Sequence, residues 1–102
     1  MSNYYPDSWV VVKVKETGLY KVLAGWSGDY LEGDSWRINS GIQFVEDDEI
    51  NWLFHGASGS CYVCSKTGYA MRMSMVGIYT KIKDKVELLD EDTDWMSVDY
   101  ET

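Results

Sequence analysis

The feature that most constrains this chain is a two-residue alternation of β-branched and aromatic side chains, in short runs broken by glycine. Side chains on a strand point to alternate faces, so a period of two marks a strand with one face against a core. Residues 7–16 contain Trp9-Val10-Val11-Val12-Lys13-Val14-Lys15. Val10, Val12 and Val14 share one face there, and Lys13 and Lys15 the other. Glu16-Thr17-Gly18 is a turn signal, and Leu19 to Trp26 resumes strand character. The pair reads as a hairpin with Gly18 at positive φ.

Further short runs follow. Trp36 to Ile38 and Ile42 to Val45 have strand character, with a bend or bulge at Ser40-Gly41. Ile50, Trp52 and Phe54 alternate with Asn51, Leu53 and His55. Gly56 to Ser60 forms a turn, and Cys61 to Cys64 a returning strand. Residues 69–83 admit two readings. Met71, Met75, Ile78 and Ile82 fall on one helical face, whereas Tyr69, Met71, Met73 and Met75 share a strand face. The helix is favoured for the second half, against the objection of Gly77. Glu87 to Leu89 is a candidate last strand. The expectation is an α+β, mainly β fold: an antiparallel sheet of about five to six strands, one helix at about 69–83, and an acidic C-terminal segment. Residues 1–89 form the β-rich domain and 90–102 an acidic tail.

A chain of 102 residues with 45% hydrophobic and 15% aromatic content makes one domain and is too rich in core formers for disorder. No run approaches the roughly 18 apolar residues that span a bilayer. The first residues carry neither a basic nor an apolar leader region, so a cytoplasmic location is expected.

The net charge of −8 is unevenly placed. Up to Lys85 there are ten acids against nine bases; beyond it there are seven acids and no base. Phosphate repulsion then disfavours nucleic acid and anionic membranes as direct partners, and a host protein with a basic surface is the expected one. Spaced carboxylates can also imitate phosphates. An exposed edge strand would allow a homodimer.

Chemistry-bearing motifs are sparse. Cys61-Tyr62-Val63-Cys64 matches C-x-x-C, but a redox pair needs its first thiol at a helix N-terminus. A strand points these two side chains to opposite faces. Zinc needs about four ligands, and His55 is the sole histidine. His55 reads as a locally bonded turn residue, since sequence proximity to Ser58, Ser60 and Cys61 does not make a triad. Gly25-x-x-Gly28 and Gly56-x-x-Gly59 are too short for phosphate loops. The Asp29, Glu32, Asp34 group fails the EF-hand pattern, and it and the run Glu46 to Glu49 read as solvated loops. The expectation is therefore no enzyme, no metal and no cofactor.

Five tryptophans and eight tyrosines either enlarge the core or supply hot spots for a partner. The candidate binding residues are Trp26, Asp29, Tyr30, Glu32, Asp34, Trp36 and Arg37, around a Gly/Asp loop, with Asp92, Asp94 and Trp95 in the acidic segment. A non-enzymatic protein-binding module is the reading these features favour. The alternative is a small-molecule binder that stacks a nucleotide base on aromatic rings, with Arg37 or Lys66 near its phosphates.

The run Gly25-Trp26-Ser27-Gly28-Asp29-Tyr30-Leu31-Glu32-Gly33-Asp34-Ser35-Trp36-Arg37-Ile38-Asn39-Ser40-Gly41-Ile42, with Ser58-Gly59-Ser60-Cys61-Tyr62-Val63-Cys64, resembles small uncharacterised proteins of tailed bacteriophages. The resemblance implies a short accessory protein in the bacterial cytoplasm that binds a host factor; with the acidic, aromatic character of the chain, the expectation is a modulator or inhibitor of a host defence or nucleic-acid-binding protein. It carries over no functional residue.

Overall fold

The computed structural model describes residues 3–26 and 35–100. The strands are β1 (Asn3–Tyr4), β2 (Ser8–Val14), β3 (Tyr20–Trp26), β4 (Ser35–Ile38), β5 (Ile42–Asp47), β6 (Asn51–Gly56), β7 (Cys61–Ser65) and β8 (Val86–Leu88), with one helix, α1 (Met73–Ile82), before the last. The fold is α+β and mainly β, and the strands divide between two sheets of four. One sheet runs β1-β7-β6-β5 and the other β4-β3-β2-β8. Pairings are antiparallel except β1 with β7.

The expected hairpin is β2–β3, with Val10 opposite Leu23 and Val12 opposite Lys21. Gly18 takes φ 76° in its turn, a conformation that costs glycine little because it has no Cβ. The face assignment of β2 is different from the alternation reading. Val10, Val11 and Val12 are all buried, and so is Trp9. Trp9 and Val11 face the space between the sheets, and Val10 packs with Leu23 and Met75 under α1. The strand is central in its sheet and covered on both sides. Its lysines lie at the C-terminal end, beyond the buried stretch, so they say nothing about which face is wet.

The main core lies between the sheets: Trp9, Val11, Val22 and Ala24 from one meet Val45, Phe54, Tyr62 and Cys64 from the other. Two sheets packed this way bury the inner set of alternating side chains from each. Three rings surround Trp9 in tilted or edge-to-face contact, Tyr69 at 4.8 Å, Phe54 at 5.3 Å and Trp95 at 5.8 Å between centroids. Its indole N–H donates to the Ser65 carbonyl at 2.7 Å, which ties β2 to the opposite sheet. Asn39 makes a second tie. Its backbone N–H donates to Val22 O at 3.1 Å, and its Oδ1 accepts from Val22 N–H at 2.9 Å, which extends the β3–β4 ladder by one rung.

The helix starts four residues later than the widest sequence reading allows. Met75 is its buried residue, and Met71, Ile78 and Tyr79 pack around the same small cluster. Met75 and Ile78 are on the helical face predicted by the spacing, whereas Met71 precedes α1 and Ile82 is not in this cluster. Gly25 lets α1 approach β3: a Cβ there would sit 2.5 Å from Met75 Sδ and 2.7 Å from its Cγ. Gly77 has open space where a Cβ would go. Gly77→Ala should therefore stabilise the protein by about 0.5–1 kcal/mol, through helix propensity alone. Gly25→Ala should destabilise it by about 1–3 kcal/mol, because a fully buried methionine must move. Urea midpoints of the two variants, shifted in opposite directions, are the check.

Residues 90–100 do not trail away as a tail. Trp95 and Tyr100 are 1% and 8% exposed and belong to the main core, with Val98 packed against it. Tyr100 donates its hydroxyl to Trp95 O at 2.6 Å and stands edge-on to Tyr20 at 5.4 Å. Apolar anchors spaced among the acids fasten the segment, which composition alone presents as solvated. Among the described residues no helix is long and apolar enough to cross a membrane.

Candidate functional site

The expected binding residues separate into three groups. Asp29, Tyr30, Glu32 and Asp34 lie outside the described residues. Trp26, Trp36 and Arg37 are on neighbouring strands, but the register Ala24–Arg37, Gly25–Trp36 and Trp26–Ser35 puts Trp36 on the α1 side and the other two on the inter-sheet side. Trp26 and Arg37 converge on Tyr4. The Arg37 guanidinium lies 4.6 Å over the Tyr4 ring, Trp26 meets that ring at 6.4 Å, and the Trp26 N–H donates to Tyr5 O at 3.0 Å. Trp36 is 45% exposed beside the helix. No single face presents both tryptophans.

The third group is in residues 90–100. Asp92 is exposed. The Asp94 carboxylate bonds the turn that follows it, accepting from Ser97 Oγ at 2.7 Å and Met96 N–H at 3.2 Å. Trp95 is in the core, so it is an anchor and not a surface contact. The correction has a simple cause: an indole among carboxylates looks like a hot spot in sequence, but its burial depends on whether the segment folds back.

A constellation that sequence reading missed spans β5, β6 and β7. Phe44 stacks on the His55 ring at 4.3 Å with 10° between planes, and His55 Nε2 lies 2.6 Å from Glu46 Oε1. Cys61 is the register partner of His55. A thiol, an imidazole and a carboxylate are thus neighbours on the outer face of this sheet, and His55 is a cross-strand residue, not a turn residue. The electrostatics oppose nucleophilic use. Burial and the nearby Glu46 charge both push the Cys61 thiol upward, away from the thiolate. Cys64, on the opposite face and fully buried, is pushed up further, mainly by desolvation.

Lys66, Asp47 and Asp48 are occupied by contacts within the fold. Lys66 Nζ lies 2.5 Å from Asp47 Oδ1 and 4.3 Å from the Trp52 ring centroid. That contact, together with the Glu49 N–H, holds the Asp47 carboxyl below its ordinary range. Asp48 accepts from the N–H groups of Asn51 and Ile50 at 2.6 and 3.1 Å, which lowers it too. Glu46 and Asp47 therefore end β5, and Asp48 and Glu49 lie in a turn built on side-chain caps. Among the described residues no group of three or more His, Cys, Asp or Glu side chains is placed to hold a metal ion.

Buried phenols give a test of this packing. Desolvation pushes Tyr62 and Tyr69 from 10.0 to about 12. An unfolded chain ionises these groups first, so it binds fewer protons than the folded one between those values. The contribution of these two phenols to stability is complete below their ordinary pKa of 10.0 and is lost as pH rises toward about 12. The raised thiols act in the same direction from their ordinary 9.0. Denaturant midpoints measured across this window should fall steadily; a flat profile would contradict the burial.

Two cavities of about 260 and 660 Å³ flank β5 and share Gln43, Phe44 and Tyr100 in their walls. Leu19 and Ala57 close one end, and Met96 and Val98 the other. No protein-family profile, characterised protein or solved structure compared with the chain matches it.

Proposed function

We propose that this protein is a non-enzymatic binding module that docks a basic protein partner. The observation that carries the reading is the fixing of residues 90–100 to the core by Trp95 and Tyr100. Five carboxylates (Asp90, Glu91, Asp92, Asp94 and Asp99) thereby belong to an ordered surface on a chain of net charge −8. An ordered acidic surface docks a basic partner with less loss of chain entropy than a disordered tail would. It also speeds encounter electrostatically and repels nucleic acid. The likeness of residues 25–42 and 58–64 to phage accessory proteins directs the search to bacterial host proteins, nucleic-acid-binding ones among them. Their phosphate-binding surfaces carry the complementary charge.

The test compares wild type with the triple variant D90N/E91Q/D92N, which leaves both anchors and the Asp94 turn intact. Each is immobilised and exposed to bacterial lysate at about 50 mM and about 500 mM salt, spanning strong and weak screening. Wild type should retain a basic protein at low salt and release it at high salt. The variant should retain at least about tenfold less. Retention of nothing, or of the same proteins by both forms, would overturn the proposal.

A further inference from the structure

The sheet β1-β7-β6-β5 ends at β5, and among the described residues no strand pairs with its second edge. An edge strand turns alternate backbone N–H and C=O groups away from its neighbour, which makes it a template for another extended chain. The four edge strands differ in how well they serve. β1 has two residues, β8 three and β4 four, against six in β5. Two cavities also lie beside β5, with Tyr100 in the wall of both and Met96 and Val98 in the wall of one. Phe44 and Met96, 52% and 53% exposed, offer apolar contacts to whatever enters.

Charge selects the occupant. The far end of β5 carries Glu46 and Asp47 and runs into Asp48 and Glu49, and Asp99 lines the space beside Phe44. A second copy of this chain would bring the same acids to the edge and be repelled. The register shift between Ile42 and Phe44 also blunts the edge against indiscriminate pairing.

We infer that the free edge of β5 is a strand-addition site for an extended polypeptide that alternates basic and apolar residues. Main-chain hydrogen bonds to β5 would hold it, its apolar side chains would enter the space beside Phe44 and Tyr100, and its cations would meet the flanking carboxylates. The inference rests on the docking reading proposed above and names the part of the partner that binds.

The test uses the full chain and an alternating lysine–valine peptide. Controls are its N-methylated counterpart, which keeps the charge but cannot pair as a strand, an alternating glutamate–valine peptide, and polylysine. Binding is read by anisotropy and located by hydrogen exchange. The lysine–valine peptide should bind, and the amides of β5 should gain protection. N-methylation should weaken binding by about tenfold or more, and the glutamate peptide should not bind. Equal binding of the methylated peptide, or no change at β5, would overturn the inference. If polylysine binds while β5 stays unprotected, the strand site fails and the docking reading stands. If no basic polypeptide binds anywhere, both fail. Protection of β5 that grows with protein concentration alone would assign the edge to a second copy and reject the basic strand.

Discussion

Trp9→Ala is expected to destabilise the protein by about 3–5 kcal/mol, the range for removing a large aromatic side chain from a core. Three observations place it there. The ring is 1% exposed, it touches Phe54, Tyr69 and Trp95, and its N–H closes a 2.7 Å bond to Ser65 O. Alanine leaves a cavity that four elements of structure would have to collapse into, and an orphaned carbonyl at the end of β7. Domains of this size are stable by only about 5–15 kcal/mol, so the variant should be close to its folding limit. The measurement is a urea or thermal unfolding curve followed by far-UV circular dichroism. A loss under about 1 kcal/mol would mean that the inter-sheet core is not organised around this ring. Trp9→Phe should recover much of the packing but not the Ser65 bond.

Trp95→Ala is the second. If residues 90–100 were a frayed acidic end, the substitution would change stability by no more than about 0.5 kcal/mol. Here Trp95 is as buried as Trp9 and packs on Trp9, Phe54 and Tyr69 with centroids 5.8 to 5.9 Å apart. The expected loss is again about 3–5 kcal/mol. Before global unfolding, residues 90–100 should become sensitive to proteolysis, because the segment loses one of the two buried rings that fix it to the core, and the Tyr100 bond to the backbone carbonyl of residue 95 does not replace that packing. Denaturation and limited proteolysis together distinguish the anchored segment from a tail. The two tryptophans should also couple: the double variant should differ from the sum of the singles by about 0.5–1.5 kcal/mol, as touching aromatic pairs do. On the docking reading proposed above, a detached segment would no longer present its carboxylates as one surface.

Much of this architecture is legible in the chain. Most strand positions follow from alternation, the β2–β3 turn from Gly18, and the buried face of α1 from the spacing of Met75 and Ile78. These are local properties, set by backbone geometry and by which residue types suit it. Ile50 shows the limit: it continues the alternation of Trp52 and Phe54, yet it sits in the turn before β6 and is 73% exposed. The two-residue β1 carried no pattern at all.

Longer-range facts had no local signal. Nothing in Val10-Val11-Val12 tells that one sheet and one helix cover opposite faces of the same strand. His55 and Glu46 are nine residues apart, and their contact depends on the hairpin register after the shift near Gln43. A one-residue slip would send every side chain to the other face. Trp95 could face water or core with the same neighbours in sequence. Charge and periodicity are sums over residues and can be read from the chain by itself, and from them came the β-rich fold and the acidic C-terminal character. Burial and pairing are relations between distant residues. Only the packed structure settled that the acids lie on an anchored surface, that Trp26 and Trp36 point apart, and that no strand among the described residues pairs with the second edge of β5, because each depends on which elements meet.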